Sequence, residues 1–158
     1  MILVADSSAL IALATCNALH HLEKIFGNVI VPQAVFDEVT AADKDQALAL
    51  GSYLADKVRS VDMSAFVFLD AFADLGETQA MVLYKSTQAD YLLIDDKRGR
   101  RVARINQINI IGSLGVLVLA KRLGLVPAIE PLITQITESS VYIAPSLVDD
   151  VLSMVGER

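Results

Sequence analysis

The chain has 158 residues, of which 54% are apolar, and a formal net charge of −6. This length and apolar content exclude disorder of the whole chain, and we expect one domain over residues 1–158 with a substantial core. The negative charge argues against general affinity for nucleic acid, whose phosphates attract Lys and Arg. The single cysteine, Cys16, excludes an internal disulfide and a thiolate metal site.

No stretch of the sequence has the features of a membrane span or a secretory leader. The longest apolar run, residues 110–120, contains glycine and serine and is too short to cross a bilayer. Asp6 interrupts the apolar start of the chain, and no basic stretch precedes it. We therefore expect a cytoplasmic protein without a membrane partner.

The opening stretch predicts a buried strand that ends at an acid. Residues 2–5 are apolar, Asp6 follows, and apolar side chains then recur at helical spacing from Leu10 onward. Asp6 or Ser7 can cap that helix, which explains an acid here without any further role. In an open α/β sheet, however, the carboxyl end of a strand is also where ligands bind.

Along the rest of the chain, apolar strand patterns alternate with helical patterns. Further strands are expected at residues 28–31, 91–94 and 109–111. Helices are expected at residues 17–26, 41–58, 112–123, 128–137 and 145–155, and also after Asp6, from Pro32, from Gly76 and after Asp96. Residues 60–74 give the least clear pattern. This alternation predicts an α/β fold, a three-layer α/β/α sandwich around a mainly parallel sheet of about four strands.

Four acids occupy positions that such a fold can bring to one edge of the sheet. They are Asp6 and Asp95 at the ends of strands, Glu38 on the expected inner face of the helix after Pro32, and Glu77 in a first helical turn. The helix dipole alone also explains a first-turn Glu. Four carboxylates in one cleft would repel one another, so they favour a bound hard cation, Mg²⁺ or Mn²⁺. Ser8 could add a hydroxyl ligand.

A basic run directly follows Asp95 and Asp96. It consists of Lys97, Arg98, Arg100, Arg101 and Arg104. A solvated helix face is one explanation of this run. The other is that Lys97, Arg98, Arg100 and Arg101 bind the phosphates on either side of a phosphodiester that metal ions help to hydrolyse.

Several segments together resemble the PIN domain family. They are residues 4–8, 31–39, 75–80 and 92–96. Residues 97–103 and 111–117 resemble a prokaryotic branch of that family called DUF3368, which is similar to VapC-type toxins of toxin–antitoxin pairs. The resemblance covers nearly the whole chain, including residues 146–152.

The resemblance implies a Mg²⁺- or Mn²⁺-dependent ribonuclease that acts on RNA and has a small antitoxin as its partner. It implies a catalytic quartet of Asp6, Glu38, Glu77 and Asp95, with Ser8 as the accessory hydroxyl. The third acid is commonly Asp in the family and here is Glu77. Both Asp95 and Asp96 stand at the fourth position, where spacing favours Asp95 and leaves Asp96 as a further metal ligand.

Three other functions fit parts of the sequence less well. A non-catalytic PIN-like module that binds protein or RNA is the main alternative, and the presence of all four acids argues against it. A flavodoxin-like phosphate binder lacks its glycine-rich loop, and a hydrolase based on Ser7 and His20 lacks a nucleophile elbow. The apolar excess suggests a homodimer, with Val116, Leu117, Leu119 or the C-terminal helices as its contact surface.

Overall fold

A computed structural model describes residues 1–63 and 74–158, in which short parallel strands alternate with helices. The strands are β1 (Ile2–Ala5), β2 (Asn28–Pro32), β3 (Val58–Arg59), β4 (Tyr91–Leu93) and β5 (Ile110–Ile111). The helices are α1 (Ser7–Thr15), α2 (His21–Phe26), α3 (Gln33–Val39), α4 (Ala47–Leu54), α5 (Leu75–Thr87), α6 (Lys97–Ile105), α7 (Ser113–Arg122), α8 (Glu130–Thr137) and α9 (Pro145–Met154).

The strands form one sheet in the order β3-β2-β1-β4-β5, and every pairing between described strands is parallel. In the central strand β1, Val4 is aligned with Ile30 of β2 on one side and with Leu92 of β4 on the other. The expected α/β fold with a mainly parallel sheet is confirmed. The sheet has a fifth strand beyond the four that the sequence indicated.

Two apolar clusters cover the two faces of this sheet. Leu3 and Ala5 of β1 belong to a cluster with residues of α1 and α7, whereas Val4 belongs to one with residues of α5 and α6. This division follows from the alternation of side chains along a strand. All three residues are 0% exposed, as is typical of a parallel strand covered on both faces.

The bounds of several elements differ from those expected. The helix expected at residues 41–58 is only α4, because residues 41–46 form turns, and Val58 instead pairs with Val31 in β3. The helix expected at residues 17–26 begins at His21, since Asn17 has a φ of 56°. Pro32 ends β2 and precedes α3. Most of the unclear stretch at residues 60–74 lies outside the described residues.

The sheet order places a ligand crevice at the carboxyl ends of β1 and β4. The chain leaves β1 toward β2 on one side, whereas β4 lies on the other side, so the direction of winding changes between β1 and β4. Open α/β sheets bind ligands at such a switch point. The N–H of Asp6 donates a hydrogen bond to the carbonyl oxygen of Leu93 at 2.8 Å, which joins the two strand ends there.

Most large apolar side chains are used inside the fold. Val116 and Leu117 are 0% exposed, so they are not available for the expected dimer contact, and Leu119 is partly buried against the same cluster. None of the helices in the described ranges is long and apolar enough to cross a membrane.

The carboxylate of Glu157 ties the C-terminal residues to the start of α8. It accepts hydrogen bonds from the backbone N–H groups of Ile129 at 2.9 Å and Glu130 at 3.0 Å, and from Nζ of Lys121 at 2.8 Å. Burial by itself raises the pKa of Glu157, but these donors outweigh it and hold the pKa below its usual value. The anionic form therefore stabilises the fold.

We predict that Glu157→Gln lowers the free energy of unfolding at pH 7 by about 2 kcal/mol, within the range for hydrogen bonds to a charged group. Because the pKa of Glu157 is lower in the folded chain, its contribution is present above the ordinary value of 4.5 and is lost as the pH falls through the folded pKa. Urea unfolding at pH 7 and in mild acid should show the difference between wild type and mutant shrinking. Glu138→Gln, at an exposed position, is the matched control and should change stability little.

Candidate metal centre

Asp6 lies at the carboxyl end of the central strand and is 3% exposed. It occupies the N-cap position of α1, but its side chain makes no capping hydrogen bond. Its Oδ1 is buried, and no hydrogen-bond partner for it exists among the residues described. Helix capping therefore does not explain this carboxylate, and a buried oxygen without a partner is costly to the fold.

Other acids surround Asp6 and make its negative charge still less favourable. Burial is the largest effect on its pKa, and an interaction with the Ser7 N–H offsets only part of it. The charges of Glu77, Asp74 and Glu38 act in the same direction as burial, and together they raise the pKa of Asp6 from 3.8 to about 8. The fold thus brings three of the four predicted acids into one electrostatic group.

Glu38 reaches this group from α3. It is exposed, so the expectation that it lies on the buried face of its helix is wrong. Its Oε2 nevertheless accepts a hydrogen bond from Oγ of Ser7 at 2.7 Å, which turns the carboxylate toward the end of β1. Ser8, the expected hydroxyl, is exposed and lines a neighbouring groove. The hydroxyl in contact with an acid of the group is that of Ser7.

Glu77 is held in place by a capping box at the start of α5. Its N–H donates to Oδ1 of Asp74 at 2.8 Å, and its Oε2 accepts from the Asp74 N–H at 3.1 Å. Glu77 is 5% exposed. Burial first, and then the charges of Asp74 and Asp96 and a hydrogen bond to Asp96, raise its pKa to about 7 against the opposing effect of the Asp74 N–H.

Asp74 was not identified as a candidate from the sequence, although its position carries a signal. An acid three residues before a Glu at the start of a helix is the spacing of a capping box. That signal predicts the hydrogen bonds between Asp74 and Glu77. It does not predict that Asp74 lies near Asp6, because this proximity depends on how α5 packs against the sheet.

The structure separates the two neighbouring acids after β4. Asp95 accepts two hydrogen bonds from Ser113 at the start of α7, from its N–H and its hydroxyl, both at 2.7 Å. Asp96 caps α6, accepting from the N–H of Gly99 at 2.8 Å, and is the acid whose charge acts on Glu77. Spacing along the sequence favoured Asp95 as the fourth acid. Adjacent residues of an extended chain point to opposite sides, however, and here Asp96 is the one that faces Glu77.

Glycines allow the helices to approach these acids closely. A Cβ at Gly99 would lie 2.9 Å from Cδ of Glu77 and 2.7 Å from Cδ1 of Ile94. A Cβ at Gly76 would lie 3.3 Å from Oε2 of Glu38. Carbon atoms do not approach at 2.9 Å without displacement, so the position of Glu77 under α6 depends on the missing side chain at Gly99.

The predicted phosphate-binding residues lie on α6, with different surroundings. Lys97, Arg98 and Arg101 are exposed. Arg100 is partly buried, and its Nη1 donates to the carbonyl oxygen of Ile94 at 3.0 Å, near Asp95. No ion pair between described residues involves Asp6, Glu38, Asp74, Glu77 or Asp96. The charge of the acidic group is therefore not balanced by a basic side chain of that part of the chain.

The acids fit a divalent cation in donor type and in charge. Carboxylate oxygens are the ligands that Mg²⁺ and Mn²⁺ prefer, and a cation would relieve the repulsion that raises the pKa values of Asp6 and Glu77. Over residues 1–63 and 74–158, however, no three His, Cys, Asp or Glu side chains are arranged so that they could hold one ion together. Holding an ion would therefore require the side chains to move closer together.

We predict that Asp6→Asn raises the free energy of unfolding of the metal-free protein by roughly 1–3 kcal/mol at pH 8, because it removes a buried charge that faces other acids. The pKa of Asp6 is higher in the folded chain, so wild-type stability should fall as the pH rises from about 4 to about 8. Urea unfolding in EDTA across this range should show a smaller fall for the mutant.

The exposed Asp43 provides the control for this experiment. Asp43→Asn should leave the pH dependence of stability as in wild type. Equal slopes for Asp6→Asn and wild type would contradict the electrostatic description of the site.

Comparison with known proteins places these observations in a family. A family model described as a PIN domain (DUF3368) matches residues 2–157. No curated protein matches the chain. PIN domains are generally nucleases, often in toxin–antitoxin systems, and generally use divalent metals. Since the match covers nearly the whole sequence, and the parallel α/β sheet agrees with it, the chain belongs to the PIN-domain family.

Proposed function

We propose that this chain is a metal-dependent endoribonuclease that hydrolyses RNA phosphodiester bonds. The observation that carries the proposal is the buried Oδ1 of Asp6, which has no hydrogen-bond partner and lies within the electrostatic reach of Glu77, Asp74 and Glu38. A fold with no use for this carboxylate would be more stable with a neutral residue in its place, and residues that cost stability are characteristic of functional sites.

Asp6, Glu38, Glu77 and Asp96 are the residues that would hold Mg²⁺ or Mn²⁺. Asp95 is assigned instead to holding the start of α7, because both of its oxygens accept hydrogen bonds from Ser113. Asp74 supports Glu77 through the capping box and adds negative charge to the group. When bound, a divalent cation supplies activation of water, neutralisation of the phosphate and stabilisation of the departing oxygen.

The chain itself contributes positioning of the acids and of the RNA. The hydrogen bond from Asp6 N–H to the Leu93 carbonyl keeps the ends of β1 and β4 together. The Ser7 hydroxyl orients Glu38, and the capping box orients Glu77. These contacts hold Glu38 and Glu77 near Asp6, and ion binding would bring the carboxylates the remaining distance together.

The basic residues at the start of α6 provide a local attraction for RNA in a protein whose net charge is −6. Lys97, Arg98 and Arg101 are exposed and follow Asp96 directly. Contacts of this kind fix the position of a nucleic-acid backbone without reading its bases. They would therefore hold the phosphates on either side of the one that reacts.

The family supports a biological setting for this activity. Because PIN domains often occur in toxin–antitoxin systems, we propose that the chain is the toxin of such a pair and that a small antitoxin protein is its partner. A non-catalytic PIN module is the alternative function. The energetic cost of burying Asp6 among other acids argues against it, since a module that only binds would not need an acid there.

We predict that Asp6→Asn and Asp96→Asn each reduce Mn²⁺-dependent cleavage of a labelled single-stranded RNA at least 100-fold, whereas Asp95→Asn retains cleavage within a few-fold of wild type. Asn at position 95 keeps an oxygen that accepts from the Ser113 N–H, and its amide can donate to the Ser113 hydroxyl, so Asp95→Asn should preserve the start of α7. Circular dichroism checks that each variant is folded. Loss of cleavage in Asp95→Asn, with cleavage retained in Asp96→Asn, would reverse the assignment of the fourth acid.

Metal binding gives a second measurement that does not depend on turnover. Isothermal titration calorimetry should show Mn²⁺ uptake by wild type and by Asp95→Asn, and a loss of uptake in Asp6→Asn and Glu38→Gln. A wild-type protein that neither binds Mn²⁺ nor cleaves RNA would favour the non-catalytic module.

A further inference from the structure

A groove of about 1160 Å³ opens beside Asp95 and Asp96 and extends away from the buried acids. Ser8, Lys97 and Arg100 line it on the side of the acids. Its other walls come from the start of α7 and from residues 140–144, the segment that connects α8 to α9. Asp43, Lys44, Asp45 and Gln46 complete the lining, so acidic, basic and apolar side chains all border the groove.

Tyr142 is the most exposed aromatic side chain that the structure describes in this groove, at 84%. Its neighbours Val141 and Ile143 are partly buried and pack against the main apolar cluster. The Val141 N–H donates to Oγ of Ser139 at 3.1 Å, which further fixes this segment. The alternation of anchored and exposed residues thus presents the ring of Tyr142 to solvent from a backbone that is held in place.

A large aromatic ring in this setting suits the binding of a flat partner. Tyr combines an apolar ring with a polar hydroxyl, and such side chains are enriched at binding surfaces. Unpaired RNA bases bind proteins by stacking on aromatic side chains, while basic residues contact the neighbouring phosphates. The groove offers both features, with Tyr142 on one wall and Lys97 on another.

We propose that Tyr142 stacks on an unpaired base of the RNA close to the phosphodiester that is cleaved, and that the groove accepts single-stranded RNA. This inference rests on the proposed function, because it places the scissile phosphate at the acids and the next nucleotides along the groove. Continuity of the groove with Asp96 and the basic Lys97 favour RNA as the occupant. A base inside a duplex has both faces covered by its neighbours and cannot stack on Tyr142.

The experiment measures RNA affinity without cleavage. Fluorescence anisotropy of a labelled single-stranded RNA is recorded in EDTA, in the Asp6→Asn background. Adding Tyr142→Ala should weaken binding about tenfold, within the range for loss of one stacked base. Tyr142→Phe keeps the ring and should bind within about twofold of the background. Leu48→Ala removes an apolar side chain that is 92% exposed and outside the groove, and should have no effect.

A set of RNAs with a single abasic position locates the stacked base. One abasic position should weaken binding to the Tyr142-containing protein and have no further effect in Tyr142→Ala, while other positions affect both proteins equally. Duplex RNA should bind both proteins alike. Unchanged affinity in Tyr142→Ala, or an equal loss for duplex and single-stranded RNA, would overturn the proposal and leave the groove to a protein segment or another occupant.

The outcomes also separate this inference from the proposed function. Cleavage by wild type without any effect of Tyr142→Ala on affinity would retain the nuclease and overturn the stacking role. Weaker binding in Tyr142→Ala, with no Mn²⁺-dependent cleavage by wild type, would support the stacking role and overturn the nuclease.

Discussion

The pairing of β1 with β4 is the constraint on which the acidic site depends. The hydrogen bond from Asp6 N–H to the Leu93 carbonyl extends this pairing by one residue beyond the strands, so the Asp6 side chain begins at the floor of the crevice. Helices α3 and α5 then bring Glu38 and Glu77 near it, and Asp96 at the start of α6 acts on Glu77. The hydrophobic packing of the sheet supplies the stability with which these like charges are held together.

The electrostatic cost and the proposed chemistry have the same origin. A carboxylate away from water and close to other carboxylates has a raised pKa, as Asp6 and Glu77 show. The same environment gives a cation a stronger interaction than it would have in water, because fewer water molecules screen the charges. A site of this kind is therefore unfavourable when empty and favourable when filled, which couples ion binding to folding.

The sequence predicted the parallel α/β fold and most of its elements, because apolar strands such as residues 2–5 and 91–93 differ clearly from amphipathic helices. It did not predict β3, because Val58 closes a stretch with a helical pattern and Arg59 is not apolar. Among the site residues, the positions after β1 and β4 followed from the rule for strand ends. The choice between Asp95 and Asp96, the exposure of Glu38 and the proximity of Asp74 depend on side-chain directions and helix packing, which one sequence does not contain.

The close approach of Gly99 to Glu77 links the length of one side chain to the absence of another. The Cδ atom of Glu77 lies 2.9 Å from where a Cβ would stand on α6. An aspartate at position 77 would be shorter than Glu77 by one methylene group. Its carboxylate would withdraw from α6 and leave an unfilled space between α5 and α6. Glu77 and Gly99 are thus matched in size, so a redesign of one position would have to change the other as well.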